Sequence, residues 1–329
     1  MARVVRFHRT GGPEVLQIDT VDAREPEAGE VRIRVKALGL NRAESMFRSG
    51  AYFEQPTFPS LLGYEAAGTV DAVGSAVDGL NVGDAVSTIP AFSQGRYGVY
   101  GDLAVVPAKA VVRHPASLSW EEASAVWMQY LTAYGALIDI AKLMPGETVL
   151  IPAASSSVGI AAIQIANLVG AIPIALTRTD DKRPVLTRLG AAHVIVTGTQ
   201  DLVAEVNRLT DGHGARVVFD PVGGPTVAKL AAAASKHGIL FQYGALSPEP
   251  TQLPLFELLA KSLTIRGYVL FEITSKPERL ERGKRFVVDG LAAGKLRPVI
   301  AKTFPLASIV DAHRYLESNQ QIGKIVVTV

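Results

Sequence analysis

A chain of 329 residues exceeds the roughly 250 to 300 residues at which single hydrophobic cores stop growing, so two domains are expected. Its 33 Lys and Arg nearly cancel its 31 Asp and Glu, which leaves no broad field to recruit nucleic acid or an anionic membrane and points to a small-molecule partner. Cysteine is absent, which excludes disulfides, a cysteine nucleophile and any thiolate zinc site.

The N-terminal stretch MARVVRFHRTGGPEVL has no uninterrupted apolar run after its arginines, so no secretory signal is read and a cytoplasmic location is expected. Short apolar runs cut by glycine and proline follow, among them VRIRVKAL, GTVDAVG, DAVSTI and LAVVPA. They predict an antiparallel β domain. From about residue 120 the texture changes. SWEEASAVWMQYLTAYGALIDIA has helical periodicity, with Ser119 as N-cap and Glu121 and Glu122 suiting the first-turn dipole.

Strand-like runs then alternate with helical ones: TVLIPA, SVGIAAIQIANLV, IPIALT, KRPVLTRLG, HVIVT, DLVAEVNRLT, RVVFD, TVAKLAAAASK and ILFQYGA. This alternation predicts a parallel sheet covered by helices. Residues 148 to 177 carry no charge and exceed the roughly 20 residues of a membrane span. Pro152, three serines, Gln164, Asn167, Gly170 and Pro173 punctuate them as strand, turn, helix and strand, so a buried βαβ unit is expected instead. After about residue 266 the pattern is mixed and ends in KIVVTV, a segment expected to pack back on the first domain.

The turn after TVLIPA matches a dinucleotide loop only partly, because serines stand where G-x-G-x-x-G has glycines: Ala154-x-Ser156-x-x-Gly159. Small residues still let the backbone approach a pyrophosphate, and the following helix offers unpaired N–H groups to an anion. The missing glycines imply a backbone that is either compatible with ordinary residues or mildly strained. Gly159 falls where helix and strand pack closely; a ligand-free strand-helix turn has the same spacing. The next strand ends at Arg178, with Lys182 shortly after, where an NAD-type fold carries an acid for the ribose 2′-OH. A guanidinium there suits the 2′-phosphate of NADP; Asp180 and Asp181 leave some NAD use open, and exposed loop charge is the plain alternative.

LLGYEAAGTVDAVGSAV contains Gly63-x-Glu65-x-x-Gly68-x-Val70-x-x-Val73-Gly74, a β-turn-β segment whose glycines permit tight bends. It resembles the G-x-E-x-x-G-x-V-x-x-V-G signature of the medium-chain dehydrogenase/reductase superfamily. With LNRAESMFRSGAY, LTAYGAL, VVFDPVGG, AKTFPL and GKIVV, the chain is similar over its whole length to the zinc-independent quinone oxidoreductase branch, which includes zeta-crystallin-like proteins. The resemblance implies an α/β protein, with a GroES-like β-rich catalytic domain from residues 1–120 and 267–329 and a Rossmann doubly wound parallel-sheet domain from residues 121–266, usually as a homodimer.

No metal is expected. The region of the first zinc cysteine in zinc alcohol dehydrogenases is Asn41 to Ala43 here, their G-H-E histidine is Tyr64, and their later cysteine region reads Ala125-Val126-Trp127-Met128. The six histidines form no H-x-x-x-H pair, and none of the nine tyrosines heads a Tyr-x-x-x-Lys dyad. Chemistry without either device favours acceptors that are already activated, quinones or enones, which need positioning and one or two donors at the carbonyl.

By resemblance, Tyr52 and Tyr64 flank the nicotinamide and supply those donors, and Asn41 contacts the cofactor and orients substrate. The resemblance also places Ser156, Ser157, Val158 and Gly159 at the pyrophosphate, Arg178 and Lys182 at the 2′-phosphate, and Thr132 and Gly244 near the ribose and nicotinamide. Lys324 comes from the C-terminal segment, and Tyr243 either stacks near the adenine or caps the sheet. Arg42 is an alternative anchor for an anionic substrate, and Phe53, Phe58, Phe92 and Phe271 are alternatives between pocket and core. The expected function is an NADPH-dependent reductase of quinones or activated enones. The alternatives are an enoyl or 2-alkenal reductase on the same scaffold, and a non-catalytic NADPH-binding protein of the RNA-binding, zeta-crystallin-like kind.

Overall fold

The structure is a computed structural model that describes Met1–Val329. Its strands are β1 Ala2–Phe7, β2 Leu16–Val21, β3 Glu30–Gly39, β4 Glu65–Val73, β5 Ala85–Thr88, β6 Leu103–Pro107 and β7 Val111–Arg113. They continue as β8 Thr148–Ile151, β9 Ile172–Thr177, β10 His193–Val196, β11 Ala215–Asp220, β12 Ala234–Gln242, β13 Thr264–Gly267, β14 Ile300–Pro305 and β15 Lys324–Thr328. Two compact units result, residues 1–128 with 298–329, and residues 129–297.

The first unit holds a seven-stranded sheet in the order β14-β15-β3-β4-β5-β7, with β6 also paired to β3, and a separate β1-β2 ribbon. Pairing of β15 with β3 returns the chain end to the first domain, as KIVVTV led one to expect. Ala37, Ala125 and Val326 are fully buried where these strands meet, with Trp120 and Ile300 packed around them. The glycine signature works differently from the expected turn. Residues Glu65–Val73 form one uninterrupted strand, and Gly68 and Gly74 serve close approach: a Cβ would lie 2.1 Å from the Arg34 carbonyl oxygen and 1.8 Å from that of Glu27. Only Gly63, at φ +103°, uses a conformation closed to other residues, and it lies on the Tyr100 ring.

The second unit is a six-stranded, wholly parallel sheet in the order β10-β9-β8-β11-β12-β13. Numbered from its own first strand this is 3-2-1-4-5-6, the order of a doubly wound dinucleotide fold. The uncharged stretch is its central βαβ unit: β8, the helix Ser157–Leu168 and β9. No helix is long and apolar enough to cross a membrane. Buried Leu150, Ile174, Val218 and Leu240 from four neighbouring strands meet Leu202, Val206, Val227 and Leu230 from the covering helices. Each such side chain contributes about 1.5–3 kcal/mol by leaving water.

Three local departures have physical causes. The long helix expected from residue 119 is broken: Trp120–Ala123 closes after a turn, Trp127–Tyr134 follows, and Gly135–Ile140 is a π-helix. Ser119 nevertheless caps it, with reciprocal bonds to Glu122. The helix starting at Thr226 ends at Ala233 because β12 begins at Ala234, and the Lys261 ammonium bonds the carbonyls of Ala231, Ala232 and Ala234 at its end. Residues 267–297 join the parallel-sheet unit: Gly283 packs on Leu131 and Tyr134, and Arg279 binds Asp139 on the π-helix.

Candidate functional site

Candidate residues gather in two places, one in each unit. In the first, Asn41 is the N-cap of the helix Arg42–Arg48, and Glu44 at its third position completes a capping box. Such a box normally sits in water. Here Glu44 is fully buried, and its carboxylate accepts from the Asn41 backbone N–H, Asn41 Nδ2 at 3.1 Å, the Tyr64 N–H at 3.3 Å and the Tyr100 hydroxyl at 3.3 Å.

Lys324 closes the cluster. Its ammonium is fully buried and donates to Asn41 Oδ1 and Glu65 Oε2, both at 2.5 Å. Glu65 in turn accepts from Asn41 Nδ2 at 3.2 Å and the Met128 N–H at 2.9 Å. Two carboxylates therefore share one cation. Burial is the main reason Glu44 rises to about 7, with Lys324 and the Asn41 donors pulling it back and Glu65 pushing it further up.

The side chains of Tyr52 and Tyr64, predicted from separate segments, come together and interact. Burial is the main reason both phenols are raised, Tyr52 to about 12, with Tyr64 restraining the rise at Tyr52 and Tyr52 adding to the rise at Tyr64. Phe53 lies 3.9 Å from the Tyr52 ring and Phe92 5.9 Å from that of Tyr64, centroid to centroid. Phe58 instead packs edge-on against Phe7, and Phe271 belongs to the other unit.

Arg42 is committed to Asn319 and feels Glu317, so it braces the helix Ile309–Glu317 instead of standing ready for an anion. Lys324 reaches Asn41 and Glu65 with its only charged group.

In the second unit β8 runs into Pro152 and a turn in which Ala153 takes φ +48°, the strain that alanine in place of glycine implies. Ser156 caps the helix Ser157–Leu168, its hydroxyl accepting from the Gly159 N–H at 3.0 Å. The N–H groups of Ser157 and Val158 are left without intrahelical acceptors, as in any first turn. A Cβ on Gly159 would lie 2.7 Å from both the Ala154 Cα and its carbonyl oxygen, so only glycine lets the helix start this close to β8.

At the end of β9, Lys182 donates to Ser155 Oγ at 3.2 Å. Burial lowers its basicity, with a smaller opposing contribution from Asp181 and a further lowering from the Arg178 charge. Asp180 pairs with Arg183 and Asp181 accepts from the Thr179 hydroxyl, while Arg178 pairs with no protein carboxylate.

Thr132 is buried on the helix Trp127–Tyr134. Gly244 lies against Pro221, where a Cβ would come within 2.6 Å of the carbonyl oxygen, and receives a bond from Gln242 at 2.7 Å. Tyr243 stacks on Phe219 at 4.0 Å, the sheet-capping alternative, with its hydroxyl buried.

Sequence reasoning missed Glu44, Tyr100 and Ser155. Glu44 could have been found as the acid three residues after Asn41, the capping-box spacing; nothing local marks Tyr100.

Comparison with known proteins places these units. The alcohol dehydrogenase GroES-like domain family matches residues 27–116, and the zinc-binding dehydrogenase family matches residues 189–327. A quinone oxidoreductase of Pseudomonas aeruginosa is 34% identical over 328 residues, covering 99% of both chains. A 2-haloacrylate reductase of Burkholderia is 31% identical, covering 99% of this chain and 98% of its own. Among solved structures, Escherichia coli quinone oxidoreductase complexed with NADPH superposes with a TM-score of 0.92 at 30% identity over the whole of both chains. An NAD-dependent alcohol dehydrogenase superposes with a TM-score of 0.92 at 33% identity over 99% of both chains.

Lys324→Met tests the cluster. Removing the one cation leaves Glu65 and Glu44 as buried, uncompensated acids, and the expected loss is about 3–5 kcal/mol in urea unfolding at neutral pH. A loss below about 1 kcal/mol would show that the ammonium does not neutralise the pair.

Proposed function

The chain belongs to the quinone oxidoreductase branch of the medium-chain dehydrogenase/reductase superfamily, and from that premise we propose that it is an NADPH-dependent, zinc-independent reductase of quinones or activated enones. The observation that carries the reading is the loop geometry. Ser156 and Gly159 seat the start of the helix Ser157–Leu168 close against β8, while Arg178, Lys182 and Ser155 gather cationic and hydroxyl groups at the end of β9.

In this reading the N–H groups of Ser157 and Val158 hold the pyrophosphate at the helix N-terminus, and Ser156 and Gly159 keep that helix start in place. Arg178 and Lys182 hold the 2′-phosphate, with Asp180 and Asp181 already engaged elsewhere. Thr132 and Gly244 are assigned to the ribose and nicotinamide side, with Tyr243 a secondary candidate. When bound, NADPH supplies the hydride.

The protein's own contribution is positioning and one proton. The Tyr52 hydroxyl, positioned beside Tyr64, donates to the substrate oxygen as negative charge builds there. Asn41 orients substrate beside it, held by Glu44 and Lys324.

Zinc does not fit this donor set. The residues that replace its usual ligands carry neither thiolate nor imidazole, and no group of three or more His, Cys, Asp or Glu side chains is placed to hold a metal. Glu44 and Glu65, the nearest acids, are spent on Asn41, Lys324 and backbone N–H groups. The 2-haloacrylate reductase relative supports a second reading, an enoyl or 2-alkenal reductase on the same scaffold.

A homodimer is part of the proposal. β13 is an end strand of the parallel sheet, and the segment leading to it exposes Leu253, Leu255, Phe256 and Leu259. Phe256 is 83% exposed, an unusual placement for a large apolar ring unless a second copy covers it.

Four measurements test these assignments. In oxidation of NADPH and NADH with 1,4-benzoquinone, a 2-alkenal and a simple ketone, the ketone is expected to be inert. Arg178→Ala should then raise the NADPH dissociation constant about 10-fold or more, as expected for a charge-assisted bond worth about 1.5–3 kcal/mol, and leave NADH nearly untouched. Equal losses for both cofactors would remove Arg178 from the phosphate.

Tyr52→Phe should lower kcat roughly 10²-fold with NADPH affinity preserved, and Tyr64→Phe should lower it less, because its hydroxyl acts through Tyr52. Unchanged rates in both variants would leave positioning as the whole of catalysis.

By light scattering, Phe256→Glu is expected to convert a dimer to monomer; a wild-type protein already monomeric at micromolar concentration would refute the assembly.

A further inference from the structure

The carboxyl group at the centre of the first unit has no assigned part in hydride transfer, yet more of the candidate site is tied to it than to any other side chain. Glu44 accepts four hydrogen bonds from three chain segments. The start of its own helix gives the Asn41 N–H and Nδ2, the turn entering β4 gives the Tyr64 N–H, and the segment before β6 gives the Tyr100 hydroxyl. The two residues assigned to orient and polarise the substrate oxygen, Asn41 directly and Tyr64 through Tyr52, are thus attached to the same pair of oxygens.

We propose that Glu44 is a positioning residue for the reduction, its carboxylate fixing Asn41 and the Tyr64 backbone relative to each other without touching substrate. The proposal rests on the roles given to Asn41, Tyr52 and Tyr64 in the proposed function.

The chemistry of the four bonds explains why the ionised form is the working one. Asn41 N–H, Asn41 Nδ2–H and Tyr64 N–H can only donate, so a proton on Glu44 has no acceptor among them. Protonation therefore breaks at least one bond, or forces the Tyr100 hydroxyl to reverse from donor to acceptor.

The groups facing Glu44 are Lys324 from β15, Glu65 from β4, Tyr100, and the Tyr64 to Tyr52 pair. Arg48 lies one turn along the same helix. His313, edge-on to Tyr100 at 5.9 Å and bonded through Nδ1 to Arg48, is held neutral by burial and the Arg48 charge, which push it down to about 3. It does not titrate near neutrality. Glu44 does, at about 7, so activity should fall as pH drops through that value.

The experiment measures kcat, KM for quinone and NADPH affinity from pH 5.5 to 9 for wild type, Glu44→Gln, Glu44→Asp and Tyr100→Phe. Wild-type turnover of quinone with NADPH establishes the underlying reading; if no acceptor turns over, that reading and this proposal fall together.

Given turnover, Glu44→Gln should lower kcat at least 10-fold, keep NADPH affinity within about 2-fold and lose the acidic limb of its profile. Glu44→Asp, which keeps a titrating carboxylate, should retain that limb and recover part of the rate. Tyr100→Phe, which removes a donor to the ionised form, should move the limb to higher pH, and it decides the matter if Glu44→Gln does not fold. An acidic limb unchanged in both Glu44→Gln and Tyr100→Phe would overturn the proposal, as would a loss in Glu44→Gln confined to NADPH affinity.

Discussion

A buried ammonium is the constraint around which the first unit is arranged. Lys324 is cut off from water, and a charge in that position is tolerable only if opposite charge and hydrogen-bond acceptors are brought to it. The partners lie 283 and 259 residues away in sequence, at Asn41 and Glu65. The last strand must therefore return beside β3, and it does, in register Val326 to Gly39. Gly39 shows the same demand from the other side: a Cβ there would lie 2.8 Å from the Lys324 Cε, so the lysine stem needs a position without a side chain. Cation, glycine and strand pairing are one condition met three times.

Meeting it creates the polar site. Once Lys324 neutralises Glu65 and orients Asn41, Glu44 remains as a second acid with only part of a cation, held by donors alone. A buried group so placed is costly in either protonation state, which is why its pKa lies near neutrality and not at an ordinary carboxylate value. Structural economy would replace such a cluster with apolar side chains, since buried ion pairs seldom stabilise a fold relative to well-packed hydrophobic residues. Its presence in a fold whose other unit is built on Leu, Ile and Val packing fits the proposed role in setting the geometry of Asn41 and Tyr64.

The two units differed in how far they could be read in sequence, and the difference is physical. The parallel-sheet unit was legible almost element by element, because strands covered on both faces read as continuous apolar runs and most helices between them carry a cap or stop of their own, the helix from Thr226 being the exception. Ser156 and Gly159 do there what small size and helix position require, even though the glycine pattern is broken. Where reading failed, a tertiary contact decided the outcome. Residues 267–297 joined this unit through Arg279 and Asp139, which no local pattern announces, and the long helix yielded to a π-turn where Gly135 faces Tyr268. In the first unit the glycines of the signature were visible but their use was not: close approach to Arg34 and Glu27 is a property of segments far apart in sequence. Glu44 looked like any acid in a helical first turn, since burial is what changes its chemistry.

The phenol at residue 64, where the resemblance to zinc alcohol dehydrogenases puts an imidazole, brings these points together. A histidine there could ligate a metal or titrate near neutrality; a buried tyrosine does neither, because burial drives its ionisation far above the working range. What Tyr64 can do is donate, and in the proposed function it supports Tyr52, the phenol assigned to the substrate oxygen. A donor of that kind stabilises charge that is already delocalising onto oxygen but cannot create an electrophile from an unactivated ketone. In the proposed function the side chain at residue 64 bears on the acceptor class, and in the further inference Glu44, through the Tyr64 N–H, bears on where that side chain stands.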